Sequence, residues 1–257
     1  MLQDVDKMSL TVPLILEEDC ERGGKDYDED GIENDFAYRN NVLQASKGIR
    51  MGFIRKVYGL LSMQLLLTVV VAAIFMFTPQ IKSFVQTNDW MMFIPMFGSF
   101  ILLFALHIKR RETPTNLILL AAFTVFQAYT VGVIVTYYSQ AVVLQALLLT
   151  LIVLTALTLY TFQTKHDFSA MYSGMFAGLC ILLVGGFFQI VFQSNTFEII
   201  LSLGGAFLFC LFIVFDTQMM MKNLSAEEYI LATINLYMDI INLFLYILRI
   251  LQAVNRQ

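Results

Sequence analysis

Charged side chains are scarce in this chain of 257 residues, since 14% are Asp, Glu, Lys or Arg while 58% are apolar. Soluble domains carry about a quarter charged residues, so the composition excludes an ordinary soluble domain. Apolar runs of about 18 residues or more recur instead, and this length matches the hydrocarbon thickness of a bilayer. Because the runs are continuous rather than alternating, they predict membrane-spanning helices and argue against strands.

Histidine and cysteine are rare as well, with two and three residues. The two histidines, His107 and His166, are too few for a histidine-rich zinc site in the membrane. The cysteines include no C-x-x-C pair, which argues against a disulfide or zinc framework. No G-x-S-x-G serine motif occurs either. We therefore expect neither an enzyme nor a bound cofactor.

Proline is equally sparse, and none of the four prolines follows Pro114. The chain thus lacks the Asn-Pro-x-x-Tyr segment typical of seven-helix receptors. It also lacks the Pro-Ala-Leu segment typical of intramembrane aspartyl proteases. The protease class further requires Gly-x-Gly-Asp at its second acid, whereas Leu236, Tyr237 and Met238 precede Asp239. An intramembrane aspartyl protease is retained only as a remote alternative.

Seven apolar segments are predicted to cross the membrane, which indicates an all-α polytopic membrane protein. They lie at about residues 57–78, 90–108, 115–138, 141–162, 170–193, 197–221 and 226–251. Ser225 and Glu228 have the spacing of a capping box that opens the last helix. That last segment either crosses fully, which places the C-terminus on the far side, or re-enters and returns it.

The N-terminal segment, residues 1–46, is polar and acidic, with 12 acidic and four basic residues. This composition predicts a disordered tail, followed by a transmembrane domain over residues 47–257. Asp26, Asp28 and Asp30 match the first half of a calcium loop. Ala37 stands where the bidentate glutamate belongs, so we expect only weak Ca²⁺ attraction. Lys and Arg are concentrated on the N-terminal side of the spans, which predicts that the tail is cytosolic.

The last apolar segment carries a polar stripe. Its residues are spaced by 4, 3, 4 and 3 positions and so share one helix face: Asn235, Asp239, Asn242, Tyr246 and Arg249. Lipid cannot solvate such a face, so it must contact protein, water or an ion.

Two acids lie inside consecutive antiparallel spans, Asp216 in the sixth and Asp239 in the seventh. Burying one acid costs ~2.5–3.5 kcal/mol on insertion scales, so retaining two suggests that they meet. In contact they could not both ionise cheaply and would share a proton. Straight helices leave them about 10 Å apart in depth, so contact requires residues 226–229 to run along the membrane surface. The alternative is two separate buried acids, each satisfied by Asn, Tyr or Arg.

Five blocks of sequence resemble the transmembrane BAX inhibitor motif family (Bax inhibitor and lifeguard proteins), most closely its Golgi anti-apoptotic branch. They are IRMGFIRKVY at 49–58, LYTFQTKHDFS at 159–169, FDTQ at 215–218, LSAEEY at 224–229 and LYMDIINLFL at 236–245. The resemblance covers about residues 47–257 and leaves out the acidic tail. It implies a seven-helix bundle in which the other helices surround a buried last helix.

The resemblance also implies a function: a pH-sensitive leak of Ca²⁺ from Golgi and endoplasmic reticulum membranes, with protection from apoptosis. The family's paired aspartates correspond to Asp216 and Asp239, and its proposed pore acids to Glu198, Glu227 and Asp239. We add Asn235 and Asn242 of the polar stripe to the expected ion pathway. In bacterial relatives an arginine of the second span holds one aspartate, whereas here the nearest arginines, Arg110 and Arg111, follow that span.

A second function class stays open. The protein would then be a non-conducting regulator that acts by binding other membrane proteins of cell-death or calcium pathways. Besides such proteins, the expected partners are the lipid bilayer and Ca²⁺, and no nucleic acid.

Overall fold

A computed structural model describes residues 47–255 except residues 165, 167 and 223. The acidic N-terminal segment, with the candidate calcium residues Asp26, Asp28 and Asp30, lies outside the described residues. The described part of the chain is helical throughout and contains no strand. Its α-helices are α1 (Lys47–Phe77), α2 (Pro79–Thr87), α3 (Phe93–Lys109), α4 (Thr115–Val135), α5 (Gln140–Gln163), α6 (Tyr172–Phe192), α7 (Asn195–Lys222) and α8 (Tyr229–Asn255).

Seven of these helices are long and apolar enough to cross a membrane, and α2 is the exception. The prediction of an all-α protein with seven spans is therefore confirmed. Helix α1 begins ten residues before the predicted span at 57–78, because the basic entry segment continues the same helix. Helix α2 has nine residues and begins at Pro79, since proline fits the first helical turn.

Helix α8 lies at the centre of the bundle. Its most apolar stretch is 67% buried within the protein, against 11–44% for the other six spans. It packs against α7, α5, α1 and α4. Large side chains such as Tyr237, Leu236 and Leu243 are almost completely enclosed. The central, buried last helix that the resemblance implies is thus confirmed, and the helix runs unbroken over 27 residues.

Hydrogen bonds between side chains fasten α1 to its neighbours. The Gln64 amide donates to Thr124 Oγ1 of α4 at 2.8 Å, and Thr68 Oγ1 lies 2.8 Å from the Tyr237 hydroxyl of α8. These residues are buried, so each bond satisfies groups that lipid could not. Helix α6 differs, since it packs mainly on α7 and is the least buried span. The interior of the bundle therefore forms around α8, with α6 at its edge.

Candidate functional site

The hairpin of α7 and α8 brings the two intramembrane acids close together. Helix α7 ends at Lys222 and, after a 3₁₀ turn over Ala226–Glu228, α8 begins at Tyr229. Asp216 and Asp239 are then about 6 Å apart in depth for straight helices. Because residues 226–228 form this turn and are not part of α8, the difference in depth between the two acids is smaller than it would be if α8 began directly after α7.

The carboxyl groups of Asp216 and Asp239 are within hydrogen-bonding reach of each other. Asp239 is 7% exposed, and its Oδ2 is fully buried without a hydrogen-bond partner among the described residues. An ionised carboxylate only accepts hydrogen bonds, so two ionised groups cannot bond to each other. A single proton shared between them would supply the missing donor.

Basic groups do not neutralise this pair directly. The salt bridges formed within the described part of the chain involve Glu112 and Glu228, and neither aspartate takes part in one. Two like charges about 4 Å apart repel by roughly 4 kcal/mol at an effective dielectric constant of 20. The arrangement therefore strongly favours the shared proton over double ionisation.

Both aspartates line a cavity of about 500 Å³ between α3, α6, α7 and α8. Its lining is mostly apolar, from residues such as Leu106, Phe212 and Ile234. Asn235 of the polar stripe lines it one turn before Asp239. The acids thus face a space large enough for several water molecules or a hydrated cation.

The C-terminal end of α3 supplies two basic side chains to the same cavity, His107 and the C-cap residue Arg110. Neither residue has a role that the sequence alone predicts. Their i,i+3 spacing places them on one helix face, which is the signal that could have found them. What the spacing does not reveal is that this face turns toward α7 and α8.

A cluster of charged and aromatic residues closes the N-terminal end of the bundle beside this cavity. Glu228 accepts from Arg111 at 2.9 Å and lies 3.2 Å from Arg110. The Lys56 ammonium lies 3.5 Å from the centre of the Tyr229 ring. These contacts tie α1 and the α3–α4 loop to the first turn of α8, which carries Asp239 ten residues later.

The predicted capping box is wrong. The Ser225 side chain forms no cap hydrogen bond, and the Glu228 carboxylate contacts the arginines instead. Tertiary ion pairing therefore overrides the local capping pattern.

Comparison with known proteins agrees with this geometry. The family model described as "Inhibitor of apoptosis-promoting Bax1" matches residues 50–256, which include both aspartates and α3. The chain belongs to the Bax inhibitor family. It is 46% identical over 231 residues to protein lifeguard 4 of Mus musculus, covering 90% of this chain and 97% of the relative. It is 46% identical over 226 residues to the Golgi anti-apoptotic protein of Vaccinia virus (strain Lister), covering 88% and 95%. It is 36% identical over 231 residues to Bax inhibitor 1 of Schizosaccharomyces pombe, covering 88% and 87%.

Two of these relatives have names that refer to apoptosis or to Bax, and none of the three names a catalytic activity.

The structure separates two other predicted pathway residues, Glu198 and Glu227, from the aspartate pair. Glu198 stands in the first turn of α7, about 27 Å along the helix from Asp216. Glu227 is exposed, whereas its neighbour Glu228 is largely covered by the arginines, and neither glutamate lines the cavity.

Asn242 and Tyr246, which follow Asp239 in the polar stripe of this family member, contact protein. The Asn242 amide donates to the Met238 carbonyl at 2.9 Å. The Tyr246 ring stacks on Phe209 with ring centres 5.7 Å apart. Past Asp239, toward the far end of the bundle, the interface of α7 and α8 is thus filled by side chains. Among the described residues, no three of the His, Cys, Asp and Glu side chains come together as metal ligands.

Proposed function

We propose that this protein is a pH-sensitive cation leak pathway, with the Asp216–Asp239 pair as its gate. The observation that carries the proposal is the buried pair itself, within hydrogen-bonding reach across α7 and α8 and facing a cavity. An ionisable group at membrane depth marks an ion or proton pathway more often than a packing site.

The gate works through one proton. While the two aspartates share this proton, their hydrogen bond holds α7 and α8 together. The interface beyond Asp239 then stays filled by side chains, and ions do not pass. When the proton leaves, the repulsion of roughly 4 kcal/mol exceeds the ~0.6–2 kcal/mol of a typical interhelical hydrogen bond. The helices then separate at the level of the pair, and permeability rises with pH.

Calcium is the proposed cargo because two ionised carboxylates attract a divalent cation and offer the oxygen ligands that Ca²⁺ prefers. Asn235, next to the pair in the cavity lining, adds a carbonyl oxygen. Glu227 and Glu198, at the two ends of the bundle, attract cations to its entrances, and Asn242 stands between Asp239 and the Glu198 end. Ca²⁺ is transported here and is not a resident cofactor.

The proposed cellular setting rests on analogy with the relatives. The names "Golgi anti-apoptotic protein" and "Bax inhibitor 1" belong to similar chains. By analogy we assign this protein to Golgi or endoplasmic reticulum membranes, with a cytosolic N-terminus and an anti-apoptotic role. A leak that lowers the amount of Ca²⁺ stored in these compartments would link the membrane location to the anti-apoptotic role.

Calcium flux from liposomes containing the purified protein tests the gate. We expect wild-type flux to rise severalfold between about pH 5 and pH 8 and the flux of Asp239→Asn to be independent of pH. The amide keeps the size of the carboxyl but cannot ionise. Glu112→Gln is the matched control, since Glu112 is exposed and pairs with Lys109 on the surface. A calcium flux of the Asp239→Asn variant that still depends on pH would contradict the proposal that the pair is the gate.

The same preparation separates the other function classes. A non-conducting regulator that works through protein partners gives no flux in pure lipid at any pH. An aspartyl protease instead cleaves a helical substrate peptide, and cleavage is lost in both Asp216→Asn and Asp239→Asn. We expect flux and no cleavage.

A further inference from the structure

A second and larger cavity, of about 780 Å³, lies on the other side of α8 from the aspartate pair. One wall is α1, with Leu66, Val69 and Ala73, and the other is α5, with Leu144. Ile240 and other residues of α8, with two residues of α4, form its floor. We call this cavity the α1–α5 groove. None of the acids in the proposed gate lines it.

The chemistry of the groove is that of hydrocarbon. The few hydroxyl groups in its lining belong to Ser62, Thr68 and Thr150. Each donates to the carbonyl oxygen four residues earlier in its own helix, at 2.7–2.8 Å. No hydroxyl donor is left for an occupant, so a polar molecule would lose its hydrogen bonds to water without replacement.

The groove opens sideways, between two helices that face the bilayer. Leu66 and Phe77 on α1 are 60% and 67% exposed, and Leu144 on α5 is 57% exposed. These side chains are at membrane depth within two of the candidate spans. The surrounding solvent at the opening is therefore lipid rather than water.

The length of the groove matches one leaflet. Its lining extends over residues 62–77 of α1 and 140–151 of α5, about 22 Å and 16 Å of helix. Half of the hydrocarbon core is ~15 Å thick. Because α1 ends and α5 begins at the far end of the bundle, the groove runs from that membrane surface to about the midplane. The polar side chain of Gln140 stands at its outer end.

The acyl chains of the surrounding lipid lie at the opening itself, and an acyl chain needs no hydrogen-bond donor from the lining. An extended peptide would bring unpaired backbone groups into a lining whose hydroxyl donors are all taken. We propose that the α1–α5 groove binds an acyl chain of a phospholipid from the leaflet at the far end of the bundle.

Photocrosslinking tests this site. The probe is a phosphatidylcholine with a diazirine near the end of one acyl chain, added at a few molecules per protein to the full chain purified in detergent. Mass spectrometry locates the crosslinks. We expect label on residues 62–77 and 140–151 well above that on α6, which is the more exposed span. We also expect the label in the groove to saturate as lipid is added.

Matched variants define the position. Ala73→Phe fills the groove and should reduce the groove label at least fivefold. Ala177→Phe places the same bulk on the exposed surface of α6 and should leave it unchanged. If Ala73→Phe does not fold, Val69→Trp makes the same test from the next turn of α1.

Three results would overturn the proposal. In the first, label follows side-chain exposure over all spans and does not saturate. In the second, the groove carries as much label in Ala73→Phe and Val69→Trp as in the wild type. In the third, a diazirine fatty acid labels the groove while the phospholipid probe does not, which would assign the site to free fatty acids.

Discussion

The ring of Tyr246 in α8 lies directly against the backbone of Gly205 in α7. A Cβ built on Gly205 would lie 2.5 Å from Tyr246 Cε1, closer than such atoms approach in real structures. Three ring atoms lie within 2.7 Å of that position, so the contact involves the whole edge of the ring. The missing side chain at Gly205 thus lets the aromatic residue of the polar stripe fill the interface beyond the aspartate pair.

Gly205→Ala should therefore destabilise the bundle. Relieving the clash requires a shift of the buried ring or of α7, which typically costs ~1–3 kcal/mol. The neighbouring Gly204 is exposed and has nothing within 4 Å of its Cβ position, so Gly204→Ala is the matched control. It should be neutral or stabilising by up to ~1 kcal/mol through helix propensity. Thermal unfolding of the detergent-purified variants measures both, and equal melting temperatures would disprove the close contact.

The contact of Glu228 with Arg110 should also contribute measurably to stability. The Glu228 side chain is 14% exposed and faces two arginines, whereas Lys109 and Glu112 form a pair that is about half exposed. Exposed pairs contribute ~0–1 kcal/mol, and water screens the Lys109–Glu112 pair more strongly. A double-mutant cycle with Arg110→Ala and Glu228→Ala should give a coupling energy of about 1 kcal/mol.

The matched cycle with Lys109→Ala and Glu112→Ala should give a coupling energy near zero. Both cycles use the same unfolding assay. A larger coupling for the exposed pair would mean that Glu228 does not hold the α3–α4 loop on α8.

Local patterns in the sequence were sufficient to predict the long helices and the polar stripe. Continuous apolar runs specify helices in a bilayer, and the spacing from Asn235 to Arg249 specifies one face. The nine residues of α2 were missed because their amphipathic run is too short to stand out beside the spans.

The partners of individual side chains could not be predicted, because they depend on tertiary contacts that the spacing of residues in the sequence does not reveal. Glu227 and Glu228 are neighbours of the same type, yet one is exposed and the other contacts two arginines from a loop more than 100 residues earlier. Likewise His107 and Arg110 belong to an ordinary helix end by sequence. Only the packing of α3 on α4, which sets the end of α3 across the cavity from the hairpin, places them near the aspartates.

Gln218 should hold the loop between α5 and α6 against α7. Its Oε1 accepts from the Phe168 amide at 2.9 Å, and its Nε2 donates to the His166 carbonyl. Gln218→Ala removes both bonds, each contributing ~0.5–1.5 kcal/mol, so local opening should become roughly five- to 150-fold more frequent. Hydrogen exchange of a peptide spanning Thr164 to Phe168 measures this. Gln163→Ala, at an exposed position in the same region, is the control and should leave the exchange rate unchanged.

Removing both aspartates should have no more effect on gating than removing one. Because the pair acts through one shared proton, Asp216→Asn and Asp239→Asn should each abolish the pH dependence of calcium flux. The double variant should match the single variants instead of adding their effects, which is the behaviour of residues that act as a unit. Liposome flux across the same pH range checks this, with thermal unfolding to show that all three variants fold. If each single variant only halves the pH response and the double variant abolishes it, the two acids titrate independently and do not form one gate.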